Sequence, residues 1–248
     1  MSAVSPLISV ILVCKNPGPR LAAALESVWA QRDLTPELIV IDGASTDGTV
    51  ASLERHRPRL AHFSSATDAG VYDAMNRGIA VARGTWLLFL GADDRLVGDT
   101  VLATAATWLN RPDADVAAGE AVYDDGRIYK FNPRANPAAR NFVHHQAAFY
   151  RRGLFDENGP FDLTFGLLAD YEFNLRLWQN RVRFKPIPLR VAACAPGGLS
   201  DAGNWRTYRE EIAIRHRYFP AWRCALWDAL SVVRFIRKQI VRRRPAHG

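Results

Sequence analysis

Along the first hundred residues the chain switches between two periods of apolar and polar positions. Ile8-Ser-Val-Ile-Leu-Val13, Glu37-Leu-Ile-Val-Ile41 and Trp86-Leu-Leu-Phe-Leu90 are short, nearly continuous apolar runs. Such runs mark strands covered on both faces, as in a parallel sheet. Between them, Arg20 to Ala30 places Leu21, Leu25, Val28 and Trp29 at helical spacing, and Thr46 to Glu54 opens on capping residues before Val50 and Leu53. Tyr72 to Arg83 predicts a third helix with Gly84 as its stop. Strand alternating with helix predicts right-handed crossovers and an α/β fold, a mostly parallel sheet flanked by helices.

After Pro112 the pattern changes. Ala121 to Phe131 alternates about an Asp125-Gly126 turn, which predicts a small antiparallel element. Asn132 to Asn141 reads as a loop, and Tyr171 to Trp178 as a helix. Arg183 to Ala193 predicts an edge strand, because Pro186 and Pro188 cannot complete a central ladder. From about residue 201 the chain reads as a helical, increasingly basic extension to residue 248. In it Leu226, Ala229, Leu230, Val233, Ile236 and Ile240 recur at helical spacing, with Trp227 and Phe235 outside the stripe.

The length of 248 residues, with 48% hydrophobic and 23% charged residues, suits a globular chain able to bury a core. Three distant cysteines, Cys14, Cys194 and Cys224, have no zinc spacing and read as buried thiols of a reducing compartment. Much of the net charge of +7 sits in the tail, at Arg234, Arg237, Lys238, Arg242, Arg243 and Arg244. No apolar run approaches the roughly 18 residues of a membrane span, and no signal-peptide pattern opens the chain. A cytoplasmic protein is expected.

The candidate chemistry is carboxylate. Asp42 follows the second apolar run and Asp93-Asp94 follow the run ending at Leu90, which puts them at the carboxyl edge of a parallel sheet, where open α/β sheets bind ligands. Asp68, just before the helix near Tyr72, would reach the same crevice. Clustered carboxylates repel phosphate unless a divalent cation with oxygen ligands, Mg²⁺ or Mn²⁺, bridges them. Carboxylates off the metal would accept from base or ribose hydroxyls, so the set points to a nucleotide diphosphate. Each aspartate alone also reads as turn chemistry, as at Asp42-Gly43 and Asp47-Gly48. No Gly-x-Gly-x-x-Gly or Gly-x-x-x-x-Gly-Lys-Ser/Thr follows the first strand, where Cys14-Lys-Asn-Pro-Gly-Pro-Arg20 stands instead, which disfavours a dinucleotide dehydrogenase or a P-loop ATPase.

Several ordered blocks carry a family resemblance: Ile8 to Asn16, Glu37 to Thr49, Asp68-Ala-Gly-Val-Tyr-Asp-Ala-Met-Asn-Arg-Gly78, Gly84 to Asp94, and Ala169-Asp-Tyr-Glu-Phe-Asn-Leu-Arg-Leu177. Over about residues 6 to 200 the chain resembles family-2 glycosyltransferases with the GT-A fold, in particular bacterial enzymes that build polysaccharides or lipid-linked oligosaccharides. The resemblance implies a donor half (about 1–115), an acceptor half (about 116–200), and transfer of a sugar, hexosyl or N-acetylhexosaminyl, from a nucleotide-sugar, UDP-linked first of all, to a hydroxyl with inversion. It implies donor binding by Asp42, Asp68, Tyr72, Asn76 and Asp93, and a divalent metal, Mn²⁺ or Mg²⁺, at Asp93 with Asp94. Asp170 matches the catalytic base, and a helix N-cap is its simpler reading. His145 and Gln146, in His144-His145-Gln146, match the acceptor and diphosphate side, and Gly197-Gly198-Leu199-Ser200 matches a donor loop. Two positions depart from the pattern: Gly91 stands where many members carry an acidic or amide side chain, and Ala169 where they carry Glu.

The tail leaves three readings open: a solvated helix packed on the domain, a helix on an anionic membrane surface, and, least favoured because no nucleic-acid fold signature appears, a nucleic-acid tail. The expected partners are thus a nucleotide-sugar, a glycan or lipid-linked glycan acceptor and an anionic membrane, with peripheral placement on the inner face of the plasma membrane and no nucleic acid. An inactive nucleotide-binding or scaffolding module of the same fold and a nucleotidyltransferase remain the alternative functions.

Overall fold

A computed structural model describes residues 5–195 and 204–243, so the Gly197 to Ser200 loop lies outside the described residues. The three apolar runs are strands β1 (Ile8–Cys14), β2 (Glu37–Asp42) and β4 (Trp86–Gly91), and nearly every residue of each is buried. With β3 (His62–Ser65) they form the parallel part of a nine-stranded sheet, in the order β3-β2-β1-β4. The sheet continues through β8 (Ala148–Arg151), β6 (Val116–Tyr123), β9 (Phe184–Cys194) and β5 (Arg95–Leu96), while β7 (Ile128–Lys130) pairs with β6. The β6–β7 hairpin turns at Gly126, whose φ of +84° a side chain would resist.

Alternation along β1 divides the core into two layers. Ile8, Val10, Leu12 and Cys14 pack under α1 (Arg20–Trp29) and α4 (Val101–Leu109), whereas Ile11 and Val13 pack under α3 (Val71–Val81). The second layer also holds α5 (Gly153–Asn158), α6 (Ala169–Gln179) and the aromatic stack of Phe155 on Phe173, 4.5 Å apart at 9°.

Four sequence expectations shift. Helix α2 (Thr49–Arg55) begins after the predicted Thr46, because the Asp47 carboxylate accepts from the Thr49 amide and hydroxyl while Gly48 takes φ +89°. Helix α3 ends at Val81, before Gly84. The role of Gly84 is close approach: its amide donates to Ser9 Oγ at 2.8 Å, and a Cβ there would lie 2.5 Å from the Ser9 nitrogen. Strand β9 is second from the edge and parallel to β6, but β5 covers only Ala192 and Ala193, so Pro186 and Pro188 still face an open side. Asp170 sits inside the first turn of α6, after Leu168, and does not cap it.

The extension forms α7 (Trp205–Tyr218) and α8 (Ala221–Arg243). Ile214, Phe219 and Cys224 join the second core layer. The face of α8 that packs carries Cys224, Trp227, Ser231 and Phe235, the last touching Trp205 and Tyr208. The stripe read from the sequence points the other way: Leu226, Leu230, Val233, Ile236 and Ile240 are exposed. Polar bonds help hold the packed side. Fully buried Arg215 is bonded to Glu211, Asp228 and Ser231 and donates to the carbonyl of Ala138 at 2.6 Å, while Arg234 reaches Glu211 at 2.5 Å. Stripping one partner from such a buried network leaves uncompensated charge. Arg215→Leu should therefore cost about 3–5 kcal/mol of folding free energy in a denaturant titration; a loss below about 1 kcal/mol would contradict this reading.

Candidate active site

The carboxyl ends of β1, β2 and β4 lie side by side, with Cys14 opposite Asp42 and Val13 opposite Gly91. Two cavities open there. A space of about 470 Å³ is bordered by Val13, Cys14, Lys15, Asp68, Gly70, Val71 and Ala74. A cleft of about 230 Å³ is lined by residues that include Tyr72, Asp93, Asp94, Tyr123, Tyr129, Asn141, His145, Gln146 and Asp170. The expected single cluster of four aspartates is thus two pairs.

In the first pair, Asp68 borders the larger space and Asp42 does not. Asp42 is fully buried, and its oxygens accept from Ser45 (amide 2.9 Å, hydroxyl 2.5 Å), the Ser65 hydroxyl (2.7 Å) and the Cys14 thiol. Burial would raise its pKa, but the Ser45 and Ser65 hydroxyls hold it below the ordinary value. Instead of presenting an open acceptor to a ribose, Asp42 braces the loop after β2. Asn76 also departs from its expected place beside a donor. Both its amide atoms are taken by the backbone of Phe161, at 2.9 Å each, so it fastens the loop before α6 to α3.

In the second pair, buried Asp94 accepts from the Gly91 amide at 3.1 Å and the Gln146 amide at 3.3 Å, and exposed Asp93 lies 3.9 Å from Arg20. Burial, then the charge of Asp93, pushes the pKa of Asp94 up. A Cβ on Gly91 would stand 2.7 Å from Asp94 Oδ2 and 3.0 Å from Asp93 Oδ1, so the two carboxylates occupy the space of the missing side chain. This oxygen-only pair fits a hard divalent cation, which would relieve their repulsion. Among the described residues no group of three or more His, Cys, Asp or Glu side chains converges to hold one, so diphosphate oxygens and water would have to fill the remaining positions.

Asp170 is buried at the inner wall of the cleft. Tyr72 donates its hydroxyl to Oδ1 at 2.8 Å, Asn141 donates its amide to Oδ2 at 2.7 Å, and His145 Nδ1 meets Oδ2 at 2.9 Å. Burial would raise the pKa of Asp170, but His145, by hydrogen bond and charge, and Tyr72 hold it below the usual carboxylate value. Burial, then the Asp170 charge, raises Tyr72 well above an ordinary phenol. Asn141 was missed in the sequence, where it ends a Pro-containing loop and carries no signal beyond lying four residues before His145. Tyr123 and Tyr129 were missed too, because a hairpin pattern does not tell which of its aromatics face a cleft.

His144 lies behind His145, its ring stacked at 6.0 Å and its Nε2 bonded to the Tyr123 hydroxyl at 2.7 Å. Burial, then the charge of His145, lowers its pKa to about 4. A histidine depressed from about 6.5 to about 4 on folding leaves stability intact above 6.5 and lowers it as pH falls toward 4. His144→Gln should flatten the fall in denaturant-measured stability between pH 6.5 and 4.5; an unchanged slope would contradict the assignment.

A family model described as Glycosyl transferase family 2 matches residues 9–171. A "PGL/p-HBAD biosynthesis glycosyltransferase" of Mycobacterium bovis is 40% identical over 187 residues, covering 71% of each chain. Two solved structures share the fold at a TM-score of 0.67. The S. aureus TarS 1–349 in complex with UDP-GlcNAc is 19% identical and covers 84% of this chain. Mannosyltransferase PcManGT of Pyrobaculum calidifontis, in complex with GDP-Man and Mn²⁺, is 22% identical and covers 87%. The chain spans 65% of each of those two structures.

Proposed function

This chain belongs to glycosyl transferase family 2, with the GT-A fold, and we propose that it transfers a sugar from a nucleotide-sugar, UDP-linked first of all, to a hydroxyl of a glycan or lipid-linked glycan, with inversion and with a divalent metal. The observation that carries this reading is the sharing of one cleft by Asp93, Asp94 and Asp170. The nucleoside would take the larger space beside Lys15 and Asp68, and its diphosphate would reach Asp93 and Asp94. A cation held there, Mn²⁺ or Mg²⁺, would neutralise charge gathering on the departing diphosphate. On the other wall Asp170 takes the proton of the acceptor hydroxyl as that oxygen attacks the anomeric carbon, opposite the leaving group. Tyr123 and Tyr129 also line the cleft, with the Arg127 guanidinium 4.6 Å over the Tyr123 ring.

Asp170→Asn should lower nucleotide release from the donor by about 10²–10⁴-fold while nucleotide binding persists. Chelating the metal should stop turnover, and Mn²⁺ should restore it. Turnover that survives both treatments contradicts the proposal.

We propose further that α8 rests on an anionic membrane surface. Trp222, Leu226, Leu230, Val233, Ile236 and Ile240 are exposed along one side of it, over about 27 Å at 1.5 Å per residue. Arg223 and Arg237 are exposed on the same helix, and its one acidic residue, Asp228, is paired to Arg215 and His216. An apolar face flanked by cations complements anionic headgroups. No helix among the described residues is long and apolar enough to cross a membrane. The wild type should co-sediment with phosphatidylserine-containing vesicles and not with phosphatidylcholine alone, and Leu226→Glu with Val233→Glu should lose at least about tenfold in partition, since each removes about 1.5–3 kcal/mol of apolar burial. Unchanged partition, or a concentration-dependent dimer in place of vesicle binding, would overturn the membrane assignment.

A further inference from the structure

Of the three side chains bonded to Asp170, Asn141 rests on a line of polar groups behind the cleft. Asn174, one turn along α6 from Asp170 and fully buried, donates its amide to Asn141 Oδ1 at 3.2 Å. Tyr150 of β8, also buried, donates its hydroxyl to Asn174 Oδ1 at 3.0 Å. Neither Tyr150 nor Asn174 lines the cleft. The Tyr150 ring meets Phe89, Phe155 and Phe173, and an asparagine in such surroundings costs more than an apolar side chain unless both ends of its amide are bonded.

The direction of each bond follows from the last acceptor. An ionised carboxylate only accepts, so Asn141 turns its NH₂ to Asp170 Oδ2. Its carbonyl then faces Asn174 and the backbone amide of Val143, which donates to it at 3.3 Å. Asn174 must therefore turn its NH₂ to Asn141, which leaves its own carbonyl for the Tyr150 hydroxyl. Burial, then the charge of Asp170, pushes the Tyr150 phenol up, so it stays a donor. All three bonds point the same way, from Tyr150 to Asn174 to Asn141 to Asp170, and bonds aligned in this manner polarise one another toward the carboxylate.

We infer that Tyr150 and Asn174 are positioning residues for the proposed transfer: through Asn141 they keep a donor aimed at Asp170, so that the base is ionised when the acceptor arrives. The inference rests on Asp170 being the base of that transfer and deepens it. Without Asn174, the side-chain carbonyl of Asn141 keeps only the Val143 bond, its NH₂ is held less firmly against Asp170, and the carboxylate takes up a proton at higher pH. The other titratable groups that act on Asp170 or respond to its charge are Tyr72 on α3, His144 and His145 before β8, and Tyr129 on β7, with Glu210 acting on Tyr72 and Arg140 on Tyr129. Substitution at Tyr150 or Asn174 leaves all of them in place.

Two variants of the full chain test this. Asn174→Leu removes the amide at similar volume. Tyr150→Phe removes only the hydroxyl and keeps the ring, so it still decides the question if Asn174→Leu folds poorly. Carbon-13 NMR of the aspartate carboxyls, with the Asp170 signal assigned by its loss in Asp170→Asn, reads the titration without any substrate. The Asp170 signal should titrate at higher pH than in the wild type, by at least about half a pH unit in Asn174→Leu and by less, in the same direction, in Tyr150→Phe. With a UDP- or GDP-sugar that releases its nucleotide, the acidic limb of the kcat profile should move to higher pH in parallel, while the dissociation constant for nucleotide changes by less than about twofold. An Asp170 titration within about 0.2 pH unit of the wild type in both variants, with only stability lowered, would overturn the inference and reduce Tyr150 and Asn174 to packing. A shifted titration with no nucleotide released from any of these donors would uphold the line of bonds and defeat the glycosyltransferase reading instead.

Discussion

Asp170 has been taken out of water into a position where only hydrogen bonds keep it ionised, and much of the molecule is arranged to supply them. Tyr72 comes from the helix behind the parallel strands, Asn141 from the loop after the hairpin, and His145 from the turn that leads into β8. A carboxylate left without such donors at this burial would pick up a proton or pull the wall open. The same bonds tie the parallel half of the sheet to the antiparallel half, so the residue that organises the cleft also fixes its width.

The C-terminal helices contribute to that wall from outside. Arg215 donates to the carbonyl of Ala138 and Arg234 lies 3.4 Å from that of Ala139, two residues before Asn141. The loop that presents Asn141 to Asp170 is therefore held by the helix whose other side is apolar and exposed.

The fold was largely legible in the sequence, because strands buried on both faces must be apolar throughout and helices must repeat near 3.6 residues. The errors fall where one side chain or one backbone contact outweighs periodicity: Asp47 delays α2, and Ser9 claims Gly84. The cleft was half legible. Asp93, Asp94, His145, Gln146 and Asp170 all line it, as their blocks led one to expect, with Tyr72. Asp42 and Asn76 occupy the neighbourhood but spend their polar atoms on the protein itself. Spacing gives the neighbourhood of a side chain; what its polar atoms bond to depends on groups distant in sequence, such as Ser65 for Asp42 and Phe161 for Asn76.

As proposed above, the carboxyl edge of the sheet would take a nucleoside diphosphate through a divalent cation at Asp93 and Asp94. Calorimetric titration of the purified chain with UDP, GDP and CDP, each with and without Mn²⁺, tests it most directly. One nucleotide, UDP first of all, should bind in a way that depends on Mn²⁺ and is lost in Asp93→Ala. Absence of binding by all three, or binding indifferent both to the metal and to Asp93, would contradict it.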